Sequence, residues 1–237
     1  MCIRDRHITA AILLLKNLEA LKLTTAFSAA LVFALHPAAM QTIFWSGYRA
    51  ELIGLILILA ALYFGIKNHN MKDYIMLTVI CVIAYISHPA ALFLPPLLGL
   101  CIFYQNESFR FKEYNRLLPL FCLALFFGVW TQGVSANAEL EWGERFGISA
   151  QSLLFYLKQA LFPIELALFY PFEQTKGFSV GAQSNFLPFS LFIPLYALVA
   201  IYIRKSWARG LLLGLTAYLL LLLYGLRQVG AFIDGSL

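Results

Sequence analysis

Charge is scarce in this chain of 237 residues, with Asp, Glu, Lys and Arg together making up 12% of it, about half the share usual in soluble domains. On composition alone that scarcity excludes a water-soluble domain. Familiar catalytic signatures are missing as well. The sequence has no glycine-rich phosphate loop, zinc-ligand spacing, serine nucleophile elbow or H-E-x-x-H helix, so hydrolase, kinase and protease chemistries find no support. No basic run is longer than a pair, and the net charge of +5 therefore leaves no nucleic-acid footprint. The four cysteines form no disulfide framework, because Cys81, Cys101 and Cys122 fall inside apolar runs and Cys2 sits in a polar head. No long apolar segment with a cleavage site follows that head, so no signal peptide is visible.

What fills the chain instead is apolar, 61% hydrophobic and 16% aromatic, spread over many segments. A helix needs about 20 apolar residues to cross a hydrocarbon layer of about 30 Å. Five stretches qualify: Thr24 to Trp45, Ala50 to Ile66, Leu117 to Val134, Phe186 to Ile203 and Gly210 to Leu226. A weaker one, His7 to Leu21, is interrupted by Lys16 and Glu19. From Tyr74 to Tyr104 no charged residue occurs for 31 residues, too long for one comfortable crossing. Ser87-His88-Pro89 near its middle, with Pro95-Pro96 soon after, predicts a break into two legs. The expected fold is thus an all-α polytopic transmembrane bundle of about seven to eight spans, in a bacterial inner membrane.

Parity supports the two legs. With two crossings, Lys67, Lys72, Arg110, Lys112 and Arg116 share one side. The segments on that side (16 to 22, 67 to 73, 105 to 116, 204 to 209) hold ten basic residues against four acids. Those on the other side (36 to 51, 87 to 89, 132 to 186, 227 to 237) hold five against seven, as the positive-inside rule asks. Within the outer segment 132–186, Lys158 and Glu165 oppose a full crossing, and Ser149 to Phe162 is expected to be an amphipathic interfacial helix stopped by Pro163. Residues 1–6 resemble a non-native read-through head, residues 7–237 a partial membrane domain, and both ends look like cuts.

Ionisable and aromatic residues gather at segment ends. His36, Gln41, Trp45, Arg49 and Glu51 fall within sixteen positions. Arg49 could hold a phosphate by paired charged hydrogen bonds and Trp45 could offer a ring to a sugar or lipid headgroup. An interfacial turn with a solvated Arg49-Glu51 pair is the plainer alternative. His88 repeats the local string HPAA found at His36, and either histidine could simply bond a carbonyl at a helix end. The acids Glu139, Glu141 and Glu144 have no diagnostic spacing. Arg227 and Asp234 lie just beyond the last apolar run, where a lone arginine also snorkels.

Taken in order, four strings resemble the membrane region of C-type glycosyltransferase-like proteins related to the tetratricopeptide-repeat transmembrane O-mannosyltransferases. His36-Pro37, Trp45, Arg49 and Glu51 resemble that family's HP…E..VAW.SGR.E/D stretch, with Gln41 where an acid is common. Ser87-His88-Pro89 with Pro95 resembles its LSKP…LP stretch, His88 replacing the usual lysine. Tyr156-Leu157, Pro163 and Phe169-Tyr170-Pro171 resemble its YL…L.P..L..FYP region, and Gly225 to Asp234 resembles its GL.QVG…ADRY stretch.

The resemblance implies an inverting transfer of a sugar from a polyprenyl-phosphate-linked donor to an acceptor such as a protein, on the outer face. Besides that donor, membrane lipid is the expected partner. The resemblance also implies a catalytic acid in a loop upstream of residue 7 and tetratricopeptide repeats downstream, neither of which lies in this chain. On residue chemistry, Arg49 and Arg227 are the candidates for the departing phosphate. His36, Glu51 and Asp234 would orient them or contribute to a metal or sugar contact, with Trp45 and His88 nearby; the pattern demands no cofactor and leaves room for a divalent metal. Two other readings stay open. One is a secondary transporter or flippase built on the proline-broken hairpin from Ser87 to Pro96. The other is a non-catalytic anchoring module.

Overall fold

A computed structural model describes residues 3–37, 49–67, 70–106, 114–132, 157–163, 208 and 210–220. The chain divides into two compact units, residues Met1–Val134 and Ser135–Leu237. The described part of the first unit contains six α-helices: α1 Ile3–Ala20, α2 Ala26–Leu35, α3 Arg49–Ile66, α4 Met71–Ser87, α5 Leu94–Asn106 and α6 Leu118–Gln132. Two 3-10 turns, Pro89–Phe93 and Asn115–Leu117, introduce α5 and α6.

Proline chemistry sets several of these ends. His36 caps α2 in an extended conformation, φ −62° and ψ 127°, because the ring of Pro37 clashes with a helical predecessor. His88 is extended as well, φ −153° and ψ 122°, and Pro89 starts the next turn where its missing N–H costs nothing. The break expected at Ser87-His88-Pro89 is therefore present, and α5 begins at Leu94 just before Pro95-Pro96. At the end of α1 the chain turns through Lys22, whose φ of 58° is left-handed. Bonds from Lys22 N–H to the Glu19 carbonyl and from Leu23 N–H to the Leu18 carbonyl close that helix.

Helix α3 is the hub, packed on α1, α4, α5 and the Pro89–Phe93 turn. It buries Leu52, Ile58, Leu59, Ala61 and Ile66, and the elements packed on it bury Ala10 in α1, Leu77, Cys81 and Ala84 in α4, and Leu94, Leu97 and Leu98 in α5. Inside the α1–α3 contact, Asn17 donates from Nδ2 to the Leu13 carbonyl (2.8 Å) and across to the Leu59 carbonyl (2.9 Å). At the other end of α1, His7 approaches the Ala34 carbonyl of α2 at 3.2 Å and stacks on Phe33. Tyr85 carries the packing on from α4 to α6, lying 5.8 Å from the Phe127 ring with its hydroxyl 3.4 Å from the Leu120 carbonyl.

These contacts order the helix ends. Gln105 donates to the Ala20 carbonyl and Tyr74 to the Arg116 carbonyl, at 3.2 and 3.1 Å. The C-terminal ends of α1, α3 and α5 therefore share one end of the first unit with the starts of α4 and α6. Lys16, Lys22, Lys67, Lys72 and Arg116 lie toward that end. The opposite end collects the start of α3, the close of α4 and the Pro89–Phe93 turn.

The spanning architecture expected from hydropathy is corrected. Among the described residues no helix is long and apolar enough to cross a membrane, so neither a bundle of seven to eight spans nor the multi-pass integral location in an inner membrane is supported. At about 1.5 Å per residue, the ten residues of α2 and the thirteen of α5 extend roughly 15 and 20 Å, short of a hydrocarbon layer of about 30 Å. Of the two 18-residue helices, α1 carries charge along its length and α3 has only the stretch Leu52 to Ile66, about 22 Å, beyond its charged first turn. Arg4, Asp5, Arg6, Lys16 and Glu19 lie in α1, and α3 opens on Arg49 and Glu51. Apolar composition runs on through His36-Pro37 and Ser87-His88-Pro89, but the helices do not.

Other expectations meet the structure piecemeal. Helix α1 takes in Ile3 to Arg6, so part of the odd head forms the first turn of a helix, with Thr9 donating to the Asp5 carbonyl at 2.8 Å. In the second unit, 157–161 is helical, Lys158 is exposed, and the Phe162 N–H closes on the Lys158 carbonyl just before Pro163. Residues 210–220 are helical too. The stretch Phe186 to Ile203 lies outside the described residues.

Burial separates the cysteines. Desolvation pushes the thiols of Cys81 and Cys101 up to about 12, the Cys81 shift being partly offset by a hydrogen bond with Tyr85, whereas Cys122 is exposed. Of these three, only Cys122 should be alkylated in the native chain at about pH 8, where the two buried groups stay protonated and covered. Mass spectrometry of the labelled protein before and after unfolding checks this.

Candidate functional site

The site forms where the first turn of α3 meets the break after α4. Glu51 stands in that first turn and His88 lies in the break, 37 residues apart in the chain. His88 Nε2 and Glu51 Oε2 are 2.5 Å apart. The imidazole is buried, with 9% of the side chain exposed, while the carboxylate is 47% exposed. A covered ring thus holds a carboxylate that faces outward.

Backbone geometry fixes the roles of the two ring nitrogens. The Ala90 N–H donates to His88 Nδ1 at 3.2 Å, capping the Pro89–Phe93 turn. Since Nδ1 accepts that bond, Nε2 carries the proton and donates to Glu51. Deprotonating Nε2 would set two acceptors face to face and lose the contact. His88 is therefore a donor that orients Glu51, and in this arrangement it has no lone pair for a metal ion. Among the described residues no group of three or more His, Cys, Asp or Glu side chains is placed to hold a metal either.

Clearance for the ring comes from Gly54, one turn along α3 from Glu51. A Cβ at residue 54 would lie 2.6 Å from His88 Cβ and 2.7 Å from Cγ. Those atoms are the root of the side chain and cannot swing aside. Ala90 and Ala91 are also buried, so small residues line this side of the break.

The residues singled out in the sequence fare unequally. Glu51 and His88 are brought together. His36 closes α2 on the half-exposed surface. Arg49 is the first residue of α3, and its backbone opens the helix two residues before Glu51. Trp45, Arg227 and Asp234 lie outside the described residues, so the expected meeting of Arg49 with Arg227 falls there too. Gly54 and Ala90 escaped notice. A glycine three positions after an acid in an otherwise aliphatic helix was the available sign, since Gly costs about 1 kcal/mol there relative to Ala and has to be offset by something.

A concavity lies at the basic end. An open depression of about 330 Å³ is lined by Lys16, Glu19, Ala20, Tyr63 and Lys67. Lys67 sits 4.6 Å above the Tyr63 ring centre and donates to the Tyr63 hydroxyl at 2.7 Å. Its cations lie at the C-terminal ends of α1 and α3, where they offset the negative helix termini. The depression is remote from Glu51 and His88.

Comparison with known proteins adds no assignment: no family model matches the chain, and neither does any curated protein or solved structure.

Gly54 and Gly65 provide a paired test of this geometry. At residue 65 an added Cβ would meet Leu98 Cδ2, the far end of a flexible side chain, at 2.3 Å. Gly65→Ala should change stability by less than about 1 kcal/mol, because the improved helix propensity offsets the displaced methyl. Gly54→Ala should lose about 1–3 kcal/mol, since the root of His88 has to move. Denaturant titration of the two variants beside the parent chain decides whether the clearance at Gly54 is required.

Proposed function

We propose that this chain serves a glycosyltransferase reaction in which a sugar passes from a polyprenyl-phosphate carrier to the hydroxyl of an acceptor. The observation that carries the reading is the bond between Glu51 and His88. Each belongs to a different string resembling the same glycosyltransferase-like family, and the fold brings those strings together at one end of one unit. The hairpin of α3 and α4 sets the two strings side by side, and their meeting there supports the reading.

The chemistry of that end suits a lipid-borne phosphoryl sugar. Leaving of the sugar builds negative charge on the phosphate, which is stabilised by positive potential held in place beforehand. The first turn of α3 has N–H groups without acceptors inside the helix, at the positive end of 18 residues. Arg49 opens the same turn, and an arginine can grip a phosphate through two parallel hydrogen bonds. Glu51, held by the buried His88, supplies a polar acceptor for a sugar beside that charge. The base for the acceptor hydroxyl is assigned to the acid which the resemblance places upstream of residue 7.

Transfer of a radiolabelled sugar from a short-chain polyprenyl-phosphate donor tests the reading, with full-length protein and its own acceptor. Arg49→Ala should slow transfer by about 10²–10³-fold, the usual effect of removing one group that stabilises transition-state charge. His88→Ala should slow it by about tenfold or more, through misplacement of Glu51. Transfer at the parent rate in both folded variants excludes this site as the centre of the reaction.

A further inference from the structure

The orientation of the His88 ring decides what Glu51 can recognise. Nδ1 takes the Ala90 N–H and Nε2 gives its proton to Glu51 Oε2, so His88 cannot share a metal ion with the carboxylate. Among the described residues no third acid, histidine or cysteine completes a cation site around them. The carboxylate is nonetheless half exposed and held at one oxygen by a buried donor, with Gly54 keeping the ring in place. A fixed carboxylate with one oxygen engaged is an acceptor for hydrogen-bond donors, and its Oε1 makes no other bond among the described residues.

We propose that Glu51 is a sugar-recognition residue that accepts hydrogen bonds from hydroxyls of the carried sugar, and that His88 and Gly54 are the residues that position it. This rests on the glycosyltransferase reading for the identity of the ligand. The placement fits one molecule. A phosphate at the start of α3 leaves the attached ring to be met by the Glu51 side chain two positions along the same turn. The negative charge of Glu51 also disfavours a phosphate at its own oxygens, so the carboxylate selects the neutral part of the donor. Its partners are hydroxyl protons, which a charge-assisted bond holds about twice as strongly as a neutral acceptor would. The selectivity this gives is polar. A site built to bond a hydroxyl rejects the deoxy analogue far more strongly than a site of apolar shape could.

The test needs no turnover. The full chain, labelled with ¹³C at the glutamate carboxyl carbons, is titrated with glucose, and the Glu51 resonance is identified by its absence in Glu51→Gln. It should shift saturably in the millimolar range, the affinity expected of a single sugar ring held by a few hydrogen bonds. Magnesium ions alone should leave it in place. In His88→Ala the glucose affinity should fall by about tenfold, the worth of one charge-assisted bond in placing the acceptor. In a folded parent chain, a Glu51 resonance that ignores glucose up to about 0.1 M overturns the proposal, as does one that follows magnesium instead. An unchanged affinity in folded His88→Ala removes the positioning role. A persistent glucose shift with no transfer from the polyprenyl-phosphate donor would sink the glycosyltransferase reading and leave the hydroxyl site standing, whereas transfer without the shift would remove only the assignment to Glu51.

Discussion

One hydrogen-bonded chain, Ala90 to His88 to Glu51, ties the end of the first unit together. Without it the Ala90 N–H would lack its cap and the buried imidazole would lose its bond to the carboxylate. Burying an unsatisfied polar group costs about 1–3 kcal/mol, so this link is a condition for the break after α4 as much as a consequence of it. The break in turn makes α4 and α5 two helices leaning on α3, with Pro89 and Pro95 in places where their missing donors do little harm. A candidate binding feature and a fold-defining joint are here the same three residues.

The helical content was legible because apolar runs in this chain are long and rich in leucine, isoleucine and phenylalanine. Their ends were less legible. Hydropathy averages across a proline, so the stretch from Thr24 to Trp45 read as one crossing, although α2 stops at Leu35 where Pro37 forces its neighbour out of the helical region. The break at Ser87-His88-Pro89 was visible since the run around it was too long to be one helix. For the site, the residue types pointed to Glu51 and His88 separately, but nothing in a sequence pairs positions 37 apart. Gly54 was hidden for a related reason. Its role is to be small beside a ring contributed by the break after α4, and the list of neighbours is what a sequence lacks.

Charge was read correctly as a pattern and wrongly as a location. Sorting the polar segments by parity placed 16–22, 67–73 and 105–116 on one side, and among the described residues the bonds from Gln105 to Ala20 and from Tyr74 to Arg116 join the end of α5 to that of α1 and the start of α4 to the turn before α6. Alternating helix direction is enough to produce that sorting. Each short connection returns the chain to the end it left two helices before, whatever surrounds the bundle. Basic residues at that end answer the exposed carbonyls of α1, α3 and α5, and the other end is left with the start of α3 and its opposite polarity.

The carboxamide of Asn17 constrains how α1 can move. Its bond to the Leu59 carbonyl crosses between two parallel helices and acts as a peg at a single height. Sliding α1 by one turn, about 5.4 Å, would pull the amide away from that carbonyl and leave it only its bond to Leu13 in the same helix, whereas a small tilt keeps both. The bond thus opposes sliding of α1 along α3, and the contact of His7 with the Ala34 carbonyl opposes it again at the other end of the helix.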